Sequence, residues 1–257
     1  MEMNKKLISE GIIKKVFFRS FLLQALWNFK GMQNVGFLYT VKPVLDFLYS
    51  DPLDRKNAYL RHLDFFNTHP YYASYIIGAV AAAEEKYAST GSDAALRQIS
   101  DTKKVLGGPI AAFGDSKIWG TLRPFAAVIG VFFIFLFSKR ISLMWIGPAA
   151  AFLFYSAVHI YIRYHGLVAG YKFENNVFDE LFTGKLQKSF VYMKIISIVM
   201  VAFLLIKGFL GTGSSIALKT AYPLVFIGVV LFIRNVSATA LFYAVLVLGG
   251  FFARYCR

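Results

Sequence analysis

Apolar residues are distributed unevenly along the chain, with polar residues punctuating positions 1–104 and long apolar runs dominating positions 105–257. Phe125 to Phe137, Leu143 to Ile162 and Val191 to Leu210 read as membrane spans, which need about 20 mainly apolar residues each. The first of these is short by itself and draws on the residues before it. Tyr222 to Phe252 is apolar except around Arg234-Asn235. It is too long for one helix of roughly 20 residues and short for two, so it reads as a hairpin of short helices turning at Arg234 to Ser237.

The first part has a different grain. Ile8, Ile12 and Val16 form one stripe, with Lys15 and Arg19 close enough that their stems must snorkel, which suggests an interfacial helix. Asp51-Pro52 has the form of a helix start, with Asp51 as N-cap, Pro52 in the first turn and Asp54 at the positive end of the dipole. The helix begun there mixes Leu53, Leu60 and Leu63 with Arg55, Lys56, Arg61 and His62, as an interfacial or subunit-contact helix does. Ala73 to Ala83 is about half a span in length and stops against Glu84-Glu85-Lys86, which predicts a re-entrant or half-buried helix. Ser92-Asp93 caps a further polar helix running to Lys103-Lys104. Gly107 to Pro124 carries Asp115, Lys117 and Arg123 in an otherwise apolar, glycine-rich stretch. A broken backbone at membrane depth is tolerated only inside protein or against a wet cavity, so this segment is expected in the interior.

Composition agrees with a membrane protein. Of 257 residues 57% are hydrophobic, including 27 Phe and 15 Tyr, more apolar surface than a soluble domain of this size can hide. Lys and Arg number 28 against 14 Asp and Glu, a net +14. These cations bracket apolar segments instead of forming one block, which points to membrane flanks and not to nucleic acid. Cys256 is the single cysteine, so an internal disulfide and a thiolate metal cluster are excluded. The N-terminus lacks the pattern of a cleaved signal peptide. The basic N-terminal part and the basic 163–188 connection place both in the cytoplasm, leaving Cys256 outside. The short Lys139-Arg140 turn then falls on the outer side, against that rule. The whole chain reads as one membrane-embedded all-α domain, residues 1–257, with an amphipathic and polar part over 1–104 and a transmembrane region over 105–257.

Four stretches carry a family likeness. They are RSFLLQALWNFKGMQNVGFLYTVKP (Arg19 to Pro43), RHLDFFNTHPYYASYIIG (Arg61 to Gly78), GGPIAAFGDSKIWGTLRP (Gly107 to Pro124) and the weaker HIYIRYHGLVAGY (His159 to Tyr171). In this order they resemble the IID component of the mannose–fructose–sorbose family of the phosphoenolpyruvate-dependent sugar phosphotransferase system. The third stretch departs from the family pattern at Ala112 and Lys117. The resemblance implies a multi-pass protein of the bacterial inner membrane that associates with a IIC subunit. It further implies that the two conduct a hexose or amino sugar, which a cytoplasmic IIA–IIB pair phosphorylates. A non-transporting structural or sensory partner of IIC is the alternative, and a membrane-embedded hydrolase using Asp115 and His69 a remote one.

Sugars are held by polar side chains that bridge hydroxyls and by aromatic faces that stack on the ring. Asn67, His69, Asp115 and Trp119 are the pathway candidates. Each has a structural reading as well. Asn67 or Thr68 can cap the helix that Pro70 starts. Asp115 can pair with Lys117 or Arg123, and an internal pair that fixes the fold is the favoured reading. Gln24, Trp27 and Asn28 share a helical neighbourhood suited to packing or a subunit interface. Of the four histidines, His62 lies near Asp64 but reads as solvated. No spacing suits a metal, and no P-loop or nucleophile elbow is present. The chain reads as non-catalytic and without a cofactor.

Overall fold

The computed structural model describes residues 7–183 and 185–211, which form helices joined by turns, with isolated bridges at Asn28–Met32 and Met32–Phe66 but no strand among them. In chain order the helices are α1 (Glu10–Ser20), α2 (Asn34–Leu48), α3 (Pro52–Arg61), α4 (Ala73–Thr90), α5 (Asp93–Gly114), a π-helical stretch (Asp115–Leu122), α6 (Arg123–Leu136), α7 (Ile146–Phe173), α8 (Val177–Thr183) and α9 (Lys185–Gly211). Among the described residues three helical segments are long and apolar enough to cross a membrane: Asp93–Leu136, Ile141–Phe173 and Gln187–Lys207. The run expected over Leu143 to Ile162 lies wholly within the second, and those over Phe125 to Phe137 and Val191 to Leu210 coincide with the first and third except for their last one and three residues. The hairpin expected over Tyr222 to Phe252 lies outside the described residues.

Local chemistry sets the helix ends. The Asp51 carboxylate accepts from the Leu53 and Asp54 amides at 2.8 and 3.0 Å, and Pro52 opens α3. Ser92 caps α5 through the Ala95 amide at 3.2 Å. Between them, α4 stops at Gly91, whose φ of 62° is the left-handed conformation that lets a helix close its last turn. Leu53 and Leu60 on α3 are exposed, as an interfacial or contact helix requires.

Two segments depart from the sequence pattern. The apolar Ala73 helix does not stop at Glu84. It runs on to Thr90 and is buried from Ala73 to Glu84. Glu84 fails to end it because its charge is matched inside the fold. Arg61 grips the carboxylate with two hydrogen bonds of 2.7 Å, Tyr49 donates to it at 2.6 Å, and His62 Nε2 lies 2.8 Å away. His62, read from the sequence as solvated, is therefore wholly buried. Its Nδ1 has no partner, which fits a neutral ring donating through Nε2. Burial holds its pKa below the ordinary histidine value, against the pull of Glu84. Secondly, the interruption expected over Gly107 to Pro124 is not a break. The chain stays helical and widens into the π-helical turn, and such turns keep their hydrogen bonds while shifting the side-chain register.

α4 lies at the centre, packed along α7. The contact is backbone against backbone: a Cβ on Gly78 would strike the Leu167 carbonyl, and one on Gly170 the Tyr75 carbonyl. Small residues four apart, here Gly166 and Gly170, permit this approach in membrane helices. The outer faces of α7 and α9 remain exposed and apolar, with Phe152, Leu153, Val199 and Ile206 prominent. Lipid or another membrane chain suits these faces.

Gly170→Ala should destabilise the protein by about 1–3 kcal/mol, because the added methyl forces the two backbones apart. Gly108 has open space beside it, so Gly108→Ala should be neutral or stabilising by up to about 1 kcal/mol through helix propensity. Thermal melting of the detergent-solubilised protein checks the opposite signs. A second expectation concerns acid. Burial alone would raise the Glu84 pKa, but hydrogen bonds from Arg61 and His62 outweigh it and hold the carboxyl at about 2, below its ordinary 4.5. A depressed carboxylate pKa stabilises the fold above the unfolded value and loses that contribution as pH falls through the folded one. The contribution, on the order of 3 kcal/mol, should therefore fade between about pH 4.5 and 2. Comparing the acid melting profile with that of Glu84→Gln isolates it.

Candidate functional site

The segment between α3 and α4 passes between the long helices and is pinned on both sides. The Gln33 amide brackets Thr68, donating to its carbonyl at 2.8 Å and accepting its N–H at 3.1 Å. The Thr68 hydroxyl donates to the Gly107 carbonyl of α5 at 2.9 Å. These bonds deliver His69 against Gly114, the last residue of α5, where any Cβ would overlap the imidazole. His69 is 2% exposed. Its Nδ1 accepts the Tyr71 amide at 3.3 Å, and its Nε2 has no partner among the described residues. Burial, helped by nearby Arg163, pushes its pKa down to about 4, so the ring is neutral and Nε2–H is a free donor.

An aromatic and cationic junction surrounds this imidazole. The Trp119 indole meets it edge-on at 5.5 Å between centroids. The Tyr71 ring stacks on His159 at 4.7 Å, and its hydroxyl is 3.0 Å from that of Tyr155. Arg163 lies over Tyr71 and Phe21 at 4.9 and 5.0 Å and donates to the Ser20 carbonyl at 2.7 Å, tying the end of α1 to α7. Arg123 sits over Trp119 at 5.3 Å. A groove of about 440 Å³ opens beside this junction between α6 and α7.

The candidates read from the sequence are only partly assembled here. His69, Trp119 and Arg123 come together. Asn67 is exposed and outside the junction, and Thr68, not Asn67, makes the bonds that fix the turn. Asp115 is exposed, and no ion pair joins it to Lys117 or Arg123 among the described residues. Gln24 and Trp27 are exposed. Asn28 shapes the next turn by accepting the Gly31 amide and donating to Asn34. Sequence reasoning missed Gln33, Tyr71, Tyr155, His159 and Arg163. The last three recur every four residues in an apolar run, which puts them on one helix face. That spacing was a usable signal. Gln33 carried none, since its partner Thr68 is 35 positions away.

The junction is equipped for binding. It offers aromatic faces, the neutral His69 imidazole and hydroxyls, and among the described residues no carboxylate lies beside a histidine or hydroxyl to serve as base and nucleophile. Among the described residues no group of three or more His, Cys, Asp or Glu could hold a metal. Arg163→Met should loosen α1, because it removes the charged hydrogen bond to the Ser20 carbonyl and leaves that oxygen only the Leu23 amide at 3.3 Å, a cost of about 1–3 kcal/mol. Trypsin should then cut at Lys14, Lys15 and Arg19 at least roughly fivefold faster, with the remainder intact; mass spectrometry of a timed digest reads it.

A family model described as the PTS system mannose/fructose/sorbose family IID component matches residues 7–221. The chain is 36% identical over 185 residues to the PTS system mannose-specific EIID component of Escherichia coli (strain K12), covering 72% of this chain and 63% of that protein. It is 35% identical over 189 residues to the Fructose permease IID component of Bacillus subtilis (strain 168), covering 73% and 66%. The matches thus span somewhat under two thirds of these relatives. Solved structures are similar as well, two of them as follows. One is the cryo-EM structure of the mannose transporter ManYZ in complex with microcin E492, with a TM-score of 0.60, 33% identity and coverage of 78% of this chain and 71% of that one. The other, described only as the structure of a membrane protein, has a TM-score of 0.66 and 28% identity over 97% and 98% of the two chains. With the family model covering most of its length, the chain belongs to the IID components of the mannose/fructose/sorbose family of the phosphotransferase system.

Proposed function

We propose that this chain is the IID membrane subunit of a sugar-transporting phosphotransferase permease in the inner membrane, with its N-terminus in the cytoplasm. Together with a IIC subunit it lines the path of a hexose or amino sugar, and the cytoplasmic IIA–IIB proteins perform the phosphoryl transfer. The observation that carries this reading is the junction around His69, where aromatic rings and hydrogen-bond donors meet against two candidate membrane-spanning helices without a nucleophile–base pair. Such a surface suits hydroxyl-rich, uncharged solutes and leaves chemistry to other subunits. The exposed apolar row Phe18, Leu22, Leu26 and Phe29 offers IIC a contact surface.

One observation favours the alternative, a structural or sensory partner of IIC: the free Nε2 of His69 is enclosed by protein. A histidine scan separates the two. In complexes co-purified with IIC, phosphoenolpyruvate-dependent phosphorylation is measured against sugar concentration for His62→Ala, His69→Gln, His159→Ala and His165→Ala, with complex yield checked in each. All four should retain turnover at saturating sugar. His69→Gln should raise the half-saturating concentration roughly five- to a hundredfold, as loss of a buried hydrogen bond worth about 1–3 kcal/mol does. An unchanged sugar dependence would favour the structural role. A variant that assembles normally without turnover, while the wild-type chain takes up acid-labile phosphate, would overturn the non-catalytic reading.

A further inference from the structure

The groove between α6 and α7 has two unlike ends. At one, the helices touch through Gly130 and Gly147, where added Cβ atoms would crowd the facing backbone. Moving away from that contact, Ala126 and Ala151 leave the space unfilled, and Phe152 stands beside it, 69% exposed. At the other end, Trp119, Arg123 and Tyr155 form a polar and aromatic rim. The groove is thus an apolar trough with a cation at its mouth.

That cation has no ion-pair partner among the described residues; Asp115, the nearest acid in the same span, lies about two helical turns away. No Asp or Glu occurs from Ser116 to Phe173, nor from Lys185 to Gly211. Arg163, the single arginine of α7, is occupied by the Ser20 carbonyl and two aromatic faces. Arg123 is exposed, and its contact among the described residues is with Trp119. Helical rise places it about 20 Å along the axis from Leu136. In a hydrocarbon core about 30 Å thick it lies within the membrane, toward the face opposite the 137–145 turn, which its stem can reach by snorkelling. An arginine at that depth needs an anion or water.

We propose that this groove is a binding site for an anionic phospholipid. The guanidinium of Arg123 takes the phosphate through two parallel N–H bonds, the geometry that arginine offers and lysine does not. Trp119 and Tyr155 flank the glycerol and ester region, where amphipathic rings are favoured. One acyl chain lies along Ala126, Ala151 and Phe152. A neutral sugar would leave the trough unfilled and the charge unmatched. A membrane partner contributing a carboxylate would instead cover the groove and exclude lipid, so the two occupants can be told apart. The site does not depend on whether the chain conducts sugar.

The test uses the complex with IIC, reconstituted in nanodiscs containing trace diazirine-tailed phosphatidylglycerol or, in a parallel set, diazirine-tailed phosphatidylcholine. After photolysis, adducts are mapped by peptide mass spectrometry. On the wild-type chain, adducts at residues 126 and 151–155 should be about tenfold more abundant with phosphatidylglycerol, since a matched charge is worth about one decade in binding. Arg123→Gln should bring phosphatidylglycerol down to the phosphatidylcholine level, and Arg123→Lys should keep part of the preference. Ala126→Leu should fill the trough and lower adducts from both lipids. Arg140→Gln, at the opposite turn, should match wild type. Equal labelling by the two lipids on the unmodified chain overturns the proposal without any variant having to fold. So does an absence of adducts in the groove, the result expected if a partner subunit covers it.

Discussion

Between Ser74 and Ala79 the backbone of α4 rests directly on that of α7, with Gly78, Gly166 and Gly170 removing every side chain that would hold them apart. The rest of the fold is arranged around that contact. Because α4 is locked against α7, the Tyr75 hydroxyl reaches His165 Nδ1 at 3.1 Å, and Glu85 meets the Tyr171 hydroxyl one level further along. The residues just before α4 are brought to the face of α7 that carries Tyr155, His159 and Arg163. Without the close approach, Tyr71 would not stack on His159, and the junction around His69 would have no second wall.

The two ends of α4 handle polarity in opposite ways. Toward its C-terminal half, Glu84 is buried with a matched set of donors, and a buried carboxylate bonded in this way is costly to break and inert once made. Tyr49 shares in that set, with its hydroxyl kept protonated by burial beside Glu84. Ahead of its N-terminus lie imidazoles, hydroxyls and arginines, with no carboxylate among the described residues there. The first cluster is closed on itself and serves the fold. The second retains an unpartnered donor at His69 and an unmatched cation at Arg123, and both functional proposals rest on this incompleteness.

Much of the framework was legible in the sequence. The three spans, the Asp51 and Ser92 caps and the family motifs all announced themselves locally, through apolar length or through a side chain bonding its own next turn. His69, Trp119 and Arg123 were also identifiable, as polar or aromatic residues in apolar surroundings. The assembly of the site was not legible, since it depends on pairs far apart in the chain. Tyr71 meets Tyr155 across 84 positions, and Arg163 meets Ser20 across 143.

The sequence by itself therefore determined that this is a helical membrane chain of the IID family, because lipid imposes a length of apolar residues and capping is a nearest-neighbour interaction. Tertiary structure alone decided where the charges went. Glu84-Glu85-Lys86 reads as the end of a helix until Arg61, His62 and Tyr49 arrive from α3 and α2 and neutralise Glu84 within it. Asp115 and Arg123 read as an internal pair, yet they stay apart on a widened helix that is unbroken. Whether a charge ends a helix, pairs inside it or faces a ligand depends on what comes within about 4 Å, and for these residues that was set by segments folding back from elsewhere in the chain.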